Sequence, residues 1–223
     1  MQSLTAVVLG ATGLIGEQLV QQLLDDPAYS KVRILVRRPL EISHTKLEIA
    51  VVNFDNPVEC RIKLGKGDCL FCCIGTTNKK VKGNNAAYRK VDFDIPVNAA
   101  LWAKEAGFAS YLLVSAVGAN KASSNFYLRL KGEVENEIAG LHFQSFHIFR
   151  PGLLLGERKE FRFGELIAKP ISKVLSLFLI GGLAKYKGVQ ADAVAKAMTA
   201  VAKSGKQGKW VYYYPDIIEA AKG

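Results

Sequence analysis

Tyr127 and Lys131 stand four positions apart in the run Tyr127-Leu128-Arg129-Leu130-Lys131, and on a helix that spacing puts a phenol and an amine on one face. A tyrosine hydroxyl, with an ordinary pKa of about 10, is a poor acid or base near neutrality. A neighbouring ammonium favours the phenolate and brings it into range, so the pair is a candidate proton-transfer device. Alone it is weak, because ordinary helices also carry a packed ring and a solvated amine at this distance. Its meaning depends on the elements that carry it.

The chain has 223 residues, 49% hydrophobic and 22% charged, which fits one globular domain with a substantial core. Met1 to Thr5 leads into an apolar strand without a basic leader or a cleavage-like signal, so the expectation is a cytoplasmic protein. The longest late apolar run, Val174 to Ile180, is far short of the roughly 20 residues that span a bilayer, and no membrane span is expected. Cys69 and Cys72 form a C-x-x-C inside the strand-like Asp68 to Ile74, where they would face apart; they read as buried thiols, not a redox pair. His44, His142 and His147 lack metal-ligand spacing, and no metal site is expected.

Strand and helix signals alternate. Strands are expected at Leu4 to Leu9, Val32 to Val36, Leu47 to Val52, Asp68 to Ile74, Tyr111 to Ser115 and Ser145 to Phe149. Helices are expected at Leu14 to Leu24, Ala86 to Ala106 with Pro96 as a kink or later start, and Ser124 to Ala139 with Ser124 as its cap. A late helix, Ala191 to Lys203, and a strand, Lys209 to Tyr214, follow a less regular region. Near-continuous apolar strands between helices mean an α/β domain, a doubly wound parallel sheet covered on both faces. Residues 1–223 read as one such domain, with 153–190 as a substrate-side insertion.

The first strand ends in Gly10-Ala11-Thr12-Gly13-Leu14-Ile15-Gly16, glycines three apart just before a helix. Glycine permits the tight turn and a close backbone approach to a pyrophosphate, while the helix turns its positive end to the same anion. Gly10, Thr12, Gly13, Leu14, Ile15 and Gly16 are thus candidate dinucleotide contacts. Where an acidic residue would accept from the ribose of NAD, the second strand ends in Arg37 and Arg38. Two guanidiniums suit a 2′-phosphate, so NADP (NADPH) is expected over NAD; a solvated basic loop is the plain alternative.

These features resemble the short-chain dehydrogenase/reductase superfamily, whose members join a glycine-rich first turn to a later Tyr-x-x-x-Lys and an upstream serine, here Ser115, twelve residues before Tyr127. The chain is most similar to the small atypical branch that includes the Tat-interactive oxidoreductases, through Phe71 to Thr77, Lys131 to Glu135 and Phe149 to Gly152. The resemblance implies a Rossmann fold, with Tyr127 as acid/base, Lys131 as its modulator and ribose ligand, and Ser115 orienting a substrate carbonyl. It also implies Gly75 and Thr76 along the cofactor, Pro151 and Gly152 beside the nicotinamide, and Asn53, Phe54 and Asp55 around the adenine. Asp92 departs from the pattern where many extended members carry asparagine. The region after Gly152 is too short for the substrate lobe of a sugar-nucleotide epimerase; within it Arg158, Lys159, Phe161, Arg162 and Phe163 could meet an anionic or aromatic substrate, or form a solvated loop.

The expected activity is therefore hydride transfer between NADPH and a small carbonyl compound, with Tyr127 supplying the proton. Two rivals stand beside it. An NADPH-binding sensor acting through a protein partner needs the glycine turn and arginines but has no use for the Ser115, Tyr127 and Lys131 set. Nucleic-acid binding rests on the net charge of +10, yet the basic residues are scattered, and no specific nucleic-acid partner is expected. Nothing in the pattern selects an oligomeric state.

Overall fold

Ala6 to Leu9 of the first strand, β1 (Leu4–Leu9), are wholly buried although successive side chains point to opposite faces. Only a sheet covered on both sides buries such a run. The computed structural model describes residues 3–77, 81–156 and 181–222. After β1 come α1 (Leu14–Asp25), β2 (Tyr29–Val36), β3 (Leu47–Val51), α2 (Pro57–Leu64), β4 (Cys69–Cys72) and α3 (Asn85–Arg89). A π turn (Lys90–Asp94) leads into α4 (Ile95–Glu105), followed by β5 (Ser110–Val114), α5 (Phe126–Ala139) and β6 (Ser145–Phe149). The rest comprises β7 (Leu154–Leu155), a 3-10 helix (Gly181–Tyr186), β8 (Val189–Gln190), α6 (Ala191–Lys203), β9 (Gly208–Tyr212) and α7 (Tyr214–Ala220).

Seven strands form one parallel sheet in the order β3-β2-β1-β4-β5-β6-β9, the doubly wound arrangement that the alternating pattern predicts. One apolar layer joins Val8, Phe71 and Leu112 to α1 and α6; the other joins Val7, Leu70 and Leu113 to α2, α4 and α5. Cys69 belongs to the first layer and Cys72 to the second, so the two thiols face apart as the strand period requires. All four cysteines are free and buried, and burial pushes the Cys69 thiol up to about 12.

Several boundaries differ from the sequence-based expectation for local reasons. Pro96 cannot donate to the carbonyl of Asp92, and the helix widens into the π turn just before it, splitting the expected Ala86 to Ala106 helix. Asn125, not Ser124, caps α5: its side chain accepts from the Leu128 N–H at 3.1 Å. Helices α2 and α7 are short and begin at or beside proline, and their periodicity was too brief to read. At the two ends of the 153–190 segment, Leu154–Leu155 pairs in parallel with Val189–Gln190. The Val174 to Ile180 run and the Arg158 to Phe163 cluster lie outside the described residues. Among the described residues, no helix is long and apolar enough to cross a membrane.

His147 sits inside β6, 1% exposed, with Nδ1 3.1 Å from the Tyr212 hydroxyl. Burial, with the Lys206 charge adding to it, pushes its pKa down to about 4. The folded value lies below the ordinary one of about 6.5, so the folded state resists the proton that the unfolded chain accepts. The stability this neutral ring contributes is complete above about pH 6.5 and is lost as pH falls toward 4. Denaturant titrations across that window should show the decline, and His147→Gln, which does not titrate, should flatten it.

Candidate active site

From β1 the chain builds outward through β2 and β3, then crosses back to add β4 on the other side of β1. The carboxyl ends of β1 and β4 therefore flank a switch point, where open α/β sheets bind ligands. A groove of about 760 Å³ lies there. Gly10, Ala11, Thr12 and Gly13 line it after β1, Arg37 after β2, Asn53 and Phe54 after β3, and Gly75 and Thr76 after β4.

The glycines of the first turn have steric reasons. Gly10 has φ +80°, and a Cβ there would lie 2.6 Å from the Cys73 carbonyl carbon. At Gly16 a Cβ would lie 2.1 Å from the Gly10 carbonyl oxygen, so the first turn of α1 can seat on the end of β1 only without a side chain. Gly13 is the N-cap of α1, and no side chain caps that helix start. The positive end of the helix dipole thus adjoins the groove, a fit for pyrophosphate. Ile15 is buried in the core, and Leu14 packs so closely on Gly156 that a Cβ on that glycine would lie 2.8 Å from its Cδ1. The side chains of Leu14 and Ile15 therefore serve packing. Arg37 borders the groove; Arg38 is exposed beside it and does not line it. Backbone glycines, an uncapped helix start, a guanidinium and apolar walls at Val52 and Ile74 make a donor set that fits a dinucleotide.

Tyr127 is half-buried in the first turns of α5, its ring edge-to-face with Tyr88 at 6.1 Å. The Lys131 Nζ lies 6.0 Å from the centre of that ring. Lys131 is itself buried and paired with Asp92 of the π turn, Nζ to Oδ1 at 2.9 Å. Burial alone would lower the lysine's pKa, but Asp92 first and then Tyr127 hold it above the ordinary value. Asp92 also accepts the Thr76 N–H through Oδ2 at 2.7 Å, and the Tyr88 hydroxyl donates to the Thr76 carbonyl at 3.1 Å. Lys131 thus joins the rim of the groove through one intervening carboxylate.

Ser115 is placed differently from an open-cleft donor. It is 5% exposed, and its hydroxyl donates to Glu135 Oε1 at 2.5 Å. Glu135 is also held by Arg150, whose Nε donates to Oε1 at 3.0 Å and whose Nη2 donates to Oε2; Arg150 Nη1 reaches the Tyr213 hydroxyl at 2.8 Å. Burial works against the Arg150 charge, and Glu135 more than offsets it. This network ties β5, α5, β6 and the start of α7 together just before Pro151 and Gly152. Both of those are buried, the Pro151 carbonyl accepts from the Val117 N–H at 3.0 Å, and a Cβ at Gly152 would lie 2.8 Å from the Lys187 carbonyl oxygen. Gly132, between Lys131 and Glu133, lets the loop before α5 lie on the helix: a Cβ there would lie 2.2 Å from the Lys121 nitrogen.

The structure brings Gly10, Thr12, Gly13, Arg37, Asn53, Phe54, Gly75 and Thr76 to one groove; Lys131 is linked to its wall through Asp92, and Tyr127 meets Tyr88, whose hydroxyl holds Thr76. It ties Ser115, Pro151 and Gly152 into the neighbouring wall. Sequence reasoning left Asp92, Glu135, Arg150 and Tyr88 without roles. A signal existed for Glu135, since residues 127, 131 and 135 follow one another at helical i, i+4 spacing.

Fold and groove together define a dinucleotide-binding α/β domain of Rossmann type. The chain belongs to the family described as NAD(P)H-binding, whose profile matches residues 10–160. It is 37% identical over 172 residues to Protein HTATIP2 of Rattus norvegicus, covering 76% of this chain and 70% of that one. It is 32% identical over 211 residues to Protein FMP52, mitochondrial, of Candida albicans, covering 92% and 91%. Among solved structures, the Bordetella bronchiseptica enzyme WbmH in complex with NAD+ superposes with a TM-score of 0.71 at 14% identity, covering 96% of this chain and 76% of that one, a likeness of fold alone. The expectation of a cytoplasmic location is overturned, because the FMP52 relatives from Candida albicans, Aspergillus niger and Eremothecium gossypii are all named as mitochondrial proteins.

Proposed function

We propose that this protein is an NADP(H)-dependent oxidoreductase of the short-chain dehydrogenase/reductase type, acting on a small carbonyl or alcohol substrate with Tyr127 as acid/base. The observation that supports the reading is the buried Lys131–Asp92 pair, which stands beside Tyr127 on one side and holds the Thr76 backbone of the dinucleotide groove on the other. When bound, the cofactor supplies or accepts the hydride. Tyr127 gives its phenolic proton to the substrate oxygen as negative charge develops there, and the Lys131 ammonium behind it stabilises the resulting phenolate. Lys131 has three N–H donors and lies 2.9 Å from Asp92 Oδ1 as an ion pair, and in this reading it would also donate to ribose hydroxyls. Gly152 and Pro151, fixed from behind by Lys187 and Val117, would border the nicotinamide, and residues 153–190 would supply the substrate side of the single domain.

Arg37 supports NADP over NAD. It stands at the carboxyl end of β2 on the groove wall, where charge-assisted hydrogen bonds would select a 2′-phosphate. Arg37→Glu should weaken NADPH binding by at least about tenfold while changing NADH binding little, measured by cofactor fluorescence titration. Equal losses for both cofactors would remove this assignment.

One observation favours a second reading, an NADPH-binding sensor that acts through a protein partner. The Ser115 proton is committed to Glu135, so orienting a substrate carbonyl would require that hydroxyl to turn. A panel of aldehydes, ketones and quinones assayed with NADPH separates the two: the enzyme turns over at least one, whereas a sensor binds NADPH tightly and turns over none.

A further inference from the structure

Asp92 divides its two oxygens between two elements. Oδ1 lies 2.9 Å from Lys131 Nζ on α5, and Oδ2 accepts the Thr76 N–H at 2.7 Å from the segment after β4. The side chains of both charged partners are almost wholly shut off from water, 5% exposed for Lys131 and 1% for Asp92. A carboxylate at such depth requires a paired charge and satisfied lone pairs, and here the pairing spans the proposed catalytic lysine and the wall of the cofactor groove. The Thr76 carbonyl is held as well, by the Tyr88 hydroxyl at 3.1 Å, so both backbone groups of Thr76 are fixed from one side. The π turn Lys90–Asp94 gives Asp92 this position, one residue type away from the asparagine that the superfamily resemblance leads one to expect there.

We propose that Asp92 is a positioning residue that couples the lysine to the cofactor loop, keeping Lys131 an ammonium at a fixed point and setting the Gly75–Thr76 backbone against the groove. The proposal deepens the reading of Lys131 given above and rests on it for its catalytic meaning. Lys131 is faced by Tyr127 from its own helix, by Cys72 from β4 and by Asp92 from the π turn. With Asp92 ionised, the pair carries little net charge, so Tyr127 feels a weaker positive field than a lone lysine would exert. Loosening at the cofactor loop, through Thr76, would change that field.

The test uses the full chain carrying isotope-labelled lysine, with the Lys131 signal assigned by its loss in Lys131→Met, and follows that signal and the Thr76 amide against pH. In the unaltered protein Lys131 should stay an ammonium well into the alkaline range, and the Thr76 amide should exchange slowly. In Asp92→Asn the lysine should titrate down in the neutral range, Thr76 exchange should speed up by about tenfold or more, and NADPH should bind about tenfold more weakly. A Lys131 titration and a Thr76 exchange rate both unchanged in Asp92→Asn would overturn the proposal. If that variant does not fold, Lys131→Met carries the test: Asp92 then lacks its cation, and the Thr76 amide should begin to shift with pH, whereas an indifferent Thr76 would overturn the coupling. None of these readings needs turnover. Their success in a protein that reduces no carbonyl would support the coupling while removing the catalytic reading.

Discussion

Tyr127→Phe is expected to lower NADPH-dependent carbonyl reduction by about 10²- to 10⁴-fold, the usual worth of a positioned general acid, while leaving NADPH affinity essentially unchanged. Phenylalanine keeps the ring that meets Tyr88 edge-to-face at 6.1 Å, and it leaves the Lys131 to Asp92 pair in place. Only the hydroxyl is removed. The groove is lined from Gly10 to Gly13 and at Gly75 and Thr76 and not by Tyr127, so a loss of turnover without a loss of binding isolates proton transfer. The split between rate and affinity is the informative result, because a collapse of the fold would remove both.

The second large effect concerns the wall behind the site. Glu135→Ala leaves the Arg150 guanidinium partly buried without its carboxylate and deprives the Ser115 hydroxyl of its acceptor. Removing one partner of a buried pair typically costs about 3–5 kcal/mol, which for a domain of this size lowers Tm by about 10 °C. The pair itself need not be stabilising. Glu135→Leu combined with Arg150→Met replaces both charges by apolar groups of similar bulk and should recover much of the loss in chemical denaturation. The double variant should still bind NADPH poorly if the network's work is to place Pro151 and Gly152, whereas full recovery of both stability and affinity would make it a purely structural strut.

Much of this architecture could be read from the sequence, because it depends on local signals. The apolar runs at Leu4, Val32, Tyr111 and Ser145 became strands of the parallel sheet, and Ala191–Lys203 formed the helix expected there. The glycine turn was legible because a strand, a turn and a helix follow one another within a few residues. The two pairings that give the site its character were not legible. Asp92 and Lys131 are 39 positions apart, and only the π turn forced by Pro96 brings the carboxylate inward. Glu135 and Arg150 stood in the segments Lys131 to Glu135 and Phe149 to Gly152 that carry the family resemblance, yet nothing local shows that they meet across two elements. Ser115 shows the same limit from the other side: its place at the end of β5 followed from pattern, but the direction of its hydroxyl depends on Glu135, twenty residues away.

The Tyr127 and Lys131 pair thus has a third member that spacing could not supply, and the lysine works as half of a buried ion pair rather than as an isolated positive charge. The most direct test of the central claim follows NADPH consumption by the unaltered protein and by Tyr127→Phe, side by side, across aldehydes, ketones and quinones, with NADPH affinity measured for both. Turnover of at least one carbonyl by the unaltered protein, its near-complete loss in the variant, and equal affinities are expected. Equal turnover by the two, or tight NADPH binding with no turnover of any carbonyl, would contradict it.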